Sequence, residues 1–260
     1  MQNVMMVVTH KQCTLVSDQL YHPLIVGNGK FEMEHSWRDN TGDNIAEKNY
    51  CYCELTALYW FWKNKLAEYD AAGLCHYRRY FTKKAFSNSR EDFLTSEDIE
   101  NELSQYDIIM PRPFIWGKTV AEIYYGVGVG KEKDLKLTQQ AIHELYPEYE
   151  KTFSEVIGRK YASYCNMFVT NKALLDEYCT WLFAILKYVE NRIDMTDYTD
   201  AEKRVYGYLS EILLNVWVEK KQLKVKYLPI AYTELTQVEQ KKKMIRECYP
   251  LKKILNRVKD

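Results

Sequence analysis

Residues 4–8 read Val-Met-Met-Val-Val, an apolar run with no polar residue on either face. A strand with one wet side alternates between apolar and polar positions, whereas a strand covered on both sides does not. The run therefore predicts a strand over residues 4–9 inside a sheet with both faces covered. Further short apolar segments occur at 21–26, 71–76, 107–110, 164–170 and 225–228. Between them the spacing changes to threes and fours. Leu55, Leu58, Tyr59, Trp62 and Leu66 predict a helix over 54–66. Leu175, Cys179, Leu182, Leu186 and Val189 predict one over 172–193, and Val205, Leu209, Ile212, Val216 and Trp217 one over 202–221. Shorter helices are expected after Thr95 or Ser96, over 119–125, and on either side of Pro147. Strands interleaved with helices give an α/β fold. The expected sheet is mixed but mostly parallel, flanked by helices, with a helical C-terminal part. We assign residues 1–240 to one domain and 241–260 to a basic amphipathic tail.

Of the 260 residues, 47% are hydrophobic, enough for a sizeable core, and the formal net charge is zero. The neutral balance argues against nucleic acid, which calls for a basic domain. Seven cysteines lack the spacing of a disulfide scaffold or a zinc site and are expected to be reduced thiols. The first residues do not read as a signal peptide, and no apolar run approaches the length of a membrane span. The expected location is cytoplasmic, with peripheral attachment to the inner membrane face through 241–260. That tail carries Lys241, Lys242, Lys243, Arg246, Lys252, Lys253, Arg257 and Lys259, a composition suited to an anionic surface.

The segment Gly73-Leu-Cys-His-Tyr-Arg-Arg-Tyr-Phe81 turns an apolar strand abruptly into a cationic and aromatic end. In open α/β sheets ligands sit beyond the carboxyl ends of strands. Arginine there suits phosphate, because its planar fork donates two parallel hydrogen bonds. An ion pair with nearby acids would account for the same residues.

This segment resembles the signature of the bacterial family known as domain of unknown function 4422. Other blocks agree in the same order: Val7-Val-Thr-His10, Asp39-Asn-Thr-Gly-Asp-Asn-Ile45, Cys53-Glu-Leu-Thr56 with Tyr59-Trp60, Asn166-Met-Phe168 and Tyr206-Gly-Tyr-Leu-Ser-Glu211. The resemblance spans roughly residues 4–232. Members of the family occur among capsular and exopolysaccharide biosynthesis proteins. It implies a glycosyltransferase with a GT-A-like nucleotide-sugar fold, and galactofuranosyl transfer from UDP-galactofuranose to a lipid-linked or oligosaccharide acceptor.

Such a transfer requires a neutralised diphosphate, a base for the acceptor hydroxyl and a held sugar. Many GT-A enzymes neutralise the diphosphate with a metal on an Asp-x-Asp motif, which is absent from this chain. The expectation is therefore no cofactor, with a divalent metal the less favoured alternative and no metal ligands assigned. Arg78 and Arg79 are expected to take the diphosphate. Glu211 is the first candidate base and Asp43 the second; a helix-surface carboxylate and a turn residue are the plain alternatives. Thr9, His10, Asp39, Asn44, Lys48, His76 and Tyr77 complete the expected donor site. Trp60, Asn166 and Tyr208 are expected to contact acceptor. An inverting outcome is expected. A retaining or pyranosyl-donor transferase, or a non-catalytic module binding nucleotide sugar or glycan, would use the same arginines.

Overall fold

The computed structural model describes residues 2–14, 16, 18–27, 29–126 and 128–248. In chain order, β1 (Asn3–Thr9), β2 (Tyr21–Ile25) and β3 (Trp37–Arg38) lead through a polar loop to α1 (Asn49–Tyr52) and α2 (Leu55–Asn64). Next come β4 (Ala71–His76), β5 (Arg79–Phe81), α3 (Ser96–Leu103), β6 (Ile108–Pro111) and β7 (Phe114–Ile115). The helices α4 (Val120–Gly126), α5 (Glu132–Leu145) and α6 (Glu150–Gly158) precede β8 (Tyr161–Ala162) and β9 (Phe168–Asn171). The long helices α7 (Lys172–Glu190) and α8 (Val205–Lys220) are followed by β10 (Val225–Leu228), β11 (Ile230–Tyr232) and α9 (Gln237–Cys248).

Seven strands form a row in the order β10-β6-β9-β4-β1-β2-β3. β9 runs against both neighbours, and every other pairing in the row is parallel. The expected mixed, mostly parallel sheet is thus present. Successive residues of β1 feed opposite cores. Val4, Met6 and Val8 pack with α2, α7 and α8, whereas Met5 and Val7 pack with Tyr80, Phe81, Phe93 and Ile99. This two-sided burial is why the run shows no alternation. Gly73 lies where β9 presses on β4. A Cβ there would stand 2.7 Å from the Phe168 carbonyl oxygen and 2.7 Å from a Val169 methyl.

Three expectations change. The strand placed at 164–170 begins only at Phe168, because Cys165 (φ +79°) and Asn166 (φ +50°) form a left-handed turn ahead of it that breaks the extended backbone. The cationic segment is not a simple strand end. β4 turns at Tyr77-Arg78 into β5, His76 pairs with Arg79, and β11 adds antiparallel to the outer edge of β5. The division at residue 240 falls inside α9, where Gln240 is fully buried and bonds the Tyr232 amide (3.0 Å) and the Ile230 carbonyl (2.8 Å). Residues 249–260 of the expected tail lie outside the described residues. Thr95 caps α3 as expected, in a reciprocal capping box with Asp98. Among the described residues, no helix is long and apolar enough to cross a membrane.

Candidate functional site

Parallel strands β1, β2 and β4 end on the same side of the sheet, and a cavity of about 500 Å³ opens beyond their carboxyl ends. Val8 and His10 come from the end of β1, Val26 from β2, and His76 to Arg79 from the β4–β5 hairpin. The far wall is Asn49, Tyr50, Cys53 and Glu54 from the α1–α2 corner, Cys165 from the left-handed turn, and Arg204, Gly207, Tyr208 and Glu211 from α8 and its entry.

Three local devices bring these groups together. The α1–α2 corner turns at Cys53, whose φ is +53°. Asn49 holds that corner by donating from Nδ2 to the Cys53 carbonyl (2.8 Å) and to Thr56 Oγ1 (3.0 Å). Gly207 then lets α8 approach, since a Cβ there would lie 3.2 Å from Cys53 Sγ. At the left-handed turn, the Cys165 amide donates to Glu211 Oε1 at 2.7 Å, while its carbonyl accepts from His76 Nε2 at 2.7 Å. Burial lowers the His76 pKa, so the ring is neutral near pH 7 and this bond places its proton on Nε2. Asn166 donates from Nδ2 to Glu54 Oε1 (2.7 Å) and to the Gly207 carbonyl (3.0 Å), and accepts from Ser210 Oγ (3.0 Å).

Two carboxylates therefore face one cavity. Burial, and then repulsion from Glu54, push Glu211 up to about 8; the Cys165 amide, Arg79 and Arg204 pull the other way without cancelling the rise. A carboxyl near 8 takes or releases a proton within the physiological range. The same cavity is also lined by cationic side chains. His10 is lowered by burial, then by Lys11, Arg78 and Arg204. Arg79 is half-buried, whereas Arg78 sits exposed at the hairpin tip, 3.4 Å from Glu234, which Lys11 also reaches at 3.3 Å. Arg204 Nε donates to Cys53 Sγ at 3.2 Å. Among the described residues, no group of three or more His, Cys, Asp or Glu side chains is arranged to hold a metal ion. Asp197 instead pairs with Lys131 and Lys133, and Asp200 with Lys203.

Of the residues expected at the site, His10, His76, Tyr77, Arg78, Arg79, Tyr208 and Glu211 line the cavity, and Asn166 stands behind it holding Glu54. The others are placed elsewhere. Thr9 is buried and closes a turn with Lys11. Asp39 is buried and accepts from Thr56 Oγ1 at 2.6 Å, Asn44 forms a turn bond to the Ala46 amide, and Lys48 pairs with Glu190 at 2.8 Å. Asp43 lies in an exposed loop and accepts from the Tyr59 hydroxyl. Trp60 is buried beside Trp37 with its indole N–H on Thr41, so its ring cannot serve as an acceptor platform. Glu54 and Arg204 were missed as site residues. Glu54 stands in the Cys53-Glu-Leu-Thr56 block, so its place in the sequence was visible although its role was not.

The family model described as Domain of unknown function (DUF4422) matches residues 4–222. The chain belongs to that family. The structure of WbbM, a bifunctional glycosyltransferase in its apo form, is similar with a TM-score of 0.80 and 31% identity over 90% of this chain. The match takes in 46% of the WbbM chain, so this chain spans about half the length of that relative. Core-mannan synthase A from Aspergillus fumigatus, in its Mn/GDP form, shows a weak likeness only, with TM-score 0.36 and 9% identity over 88% of this chain and 74% of that one. No protein with a curated description matches. The fold is thus the α/β fold expected of a DUF4422 member and resembles that of a glycosyltransferase.

Proposed function

We propose that the protein is an inverting glycosyltransferase that uses a nucleoside-diphosphate sugar. The observation that carries this reading is that Glu211 and the arginines Arg78, Arg79 and Arg204 line one cavity beyond the β1 and β4 ends. The acceptor hydroxyl gives its proton to the ionised Glu211. Its oxygen then bonds to the anomeric carbon as the bond to the diphosphate breaks, and the nucleoside diphosphate leaves with that electron pair. A single in-line displacement inverts the anomeric centre. Arg79, Arg204 and Arg78 carry the charge that builds on the leaving oxygens. Diphosphate binding exchanges the Arg78–Glu234 ion pair for a phosphate contact.

UDP-galactofuranose as donor, a lipid-linked or oligosaccharide glycan as acceptor, and a place in capsule or exopolysaccharide assembly are proposed on the family resemblance. The likeness to WbbM supports the reaction class.

The test compares Glu211→Gln and Arg79→Ala with the parent. Glu211→Gln should keep UDP binding and lose about 10²- to 10⁴-fold in transfer, the usual contribution of a general base. Arg79→Ala should weaken UDP binding by about 1.5–3 kcal/mol, a lost charge-assisted bond. Near-parental transfer by a folded Glu211→Gln protein would overturn the assignment of the base.

A further inference from the structure

The cationic cavity accounts for a donor and leaves open where the acceptor lies. A second, smaller cleft of about 160 Å³ meets it at Tyr208 and Glu211, the two residues that line both. Its remaining walls are largely aromatic and aliphatic, with Trp116, Tyr124 and Tyr164 providing the rings and Ile123, Val129 and Ile212 the floor. Pockets for drug-sized ligands start at roughly 300 Å³, so this cleft has room for a single ring.

Trp116 is the unusual member. It is 42% exposed, among the few large hydrophobic side chains that face solvent. It is also held in place. Its amide bonds the Lys160 carbonyl at 2.9 Å, its ring lies parallel to Phe114 with centroids 6.3 Å apart, and Phe114 pairs through β7 with Ala162 of β8. Phe114 in turn meets Tyr164 edge-on at 5.8 Å. A fixed indole left partly open is a ready binding surface, apolar across its face and polar at one edge. The axial C–H bonds of a pyranose make one face of that sugar apolar, while its rim of hydroxyls stays polar. Such a ring laid on these aromatics would direct a hydroxyl toward Glu211 at the junction of the two spaces. A base must lie within hydrogen-bond reach of the proton it takes, and the donor must lie on its other side.

We propose that the Trp116 cleft is the acceptor subsite and that it takes a pyranose ring of the acceptor glycan by its apolar face. This rests on the transferase reading above, with Tyr208 and Glu211 as the shared wall. A hydrocarbon chain is the other apolar occupant to consider. It offers Glu211 no proton, and the carboxyl on the wall favours the sugar.

The experiment is saturation-transfer NMR on the full chain in the presence of UDP, with methyl β-D-galactopyranoside, methyl β-D-glucopyranoside and dodecyl maltoside as probes. The parent, Trp116→Ala and Trp116→Phe are compared, with UDP binding measured alongside by calorimetry. Saturation is expected on the ring C–H protons of at least one methyl pyranoside. It should fall at least fivefold in Trp116→Ala and largely return in Trp116→Phe, with UDP affinity unchanged in all three. The subsite is overturned if the parent binds UDP but saturates no pyranoside, if Trp116→Ala saturates like the parent, or if only the alkyl protons of dodecyl maltoside respond. A parent that binds neither UDP nor GDP by calorimetry overturns the transferase reading itself, which separates the two failures.

Discussion

Glu211 and Glu54 line the same cavity, and the Glu54 charge helps push Glu211 up. With Glu211 as the proposed base, activity needs its ionised form, so kcat/KM should rise with pH to a plateau, with its midpoint near the value of about 8 to which burial and Glu54 push Glu211. Glu54→Gln removes the negative neighbour and keeps an oxygen for the Asn166 amide. The midpoint should then move to lower pH, and a pH profile of initial rates reads this directly. An unmoved midpoint would separate Glu54 from the base. None of this coupling was legible in the sequence. Glu54 and Glu211 lie far apart in the chain, and they meet through a left-handed turn at Cys165-Asn166. Asparagine tolerates that conformation better than most residues, but a positive φ at a cysteine has no sequence signal.

At the scale of elements, the readable parts were those with a strong period. The unbroken apolar run of β1 and the three-four spacing of α2, α7 and α8 survive into the structure with ends shifted by a few residues. The β4–β5 hairpin was hidden because β5 has only three residues and its partner β11 lies far along the chain. Gly73 illustrates what a pattern cannot show, since its need for a bare Cα arises from β9, a strand nearly a hundred positions away. Gly73→Ala forces a methyl against the Phe168 carbonyl and should lower stability by about 1–3 kcal/mol, the usual cost of overpacking. Urea denaturation of the variant and the parent measures this. A change within experimental error would mean that β4 and β9 can separate without penalty.

For the whole molecule, the raised Glu211 pKa ties stability to pH. The native state holds this proton more tightly than the unfolded chain, where the group titrates near 4.5. Native stability from this group is complete below that value and is lost as pH rises toward about 8. Glu211→Gln removes the slope, so its melting temperature relative to the parent should climb between about pH 5 and pH 8 and then level off. His76, lowered by burial, acts in the opposite sense on the acid side, which is why the difference between variant and parent is the quantity to follow. A constant difference across that range would show that Glu211 is not shifted in the folded protein.

The hairpin that carries Arg78 and Arg79 is closed from outside by residues from the other end of the chain. Tyr232 pairs with Arg79, the Thr233 amide donates to the Arg78 carbonyl at 3.2 Å, and buried Gln240 locks β11 in place. During synthesis these residues leave the ribosome long after β4 and β5, the hairpin they close. A nascent chain can therefore assemble β1, β4 and β9 while its arginines still lack their outer support. The cavity's cationic rim is thus held in part by segments that are made last among the described strands.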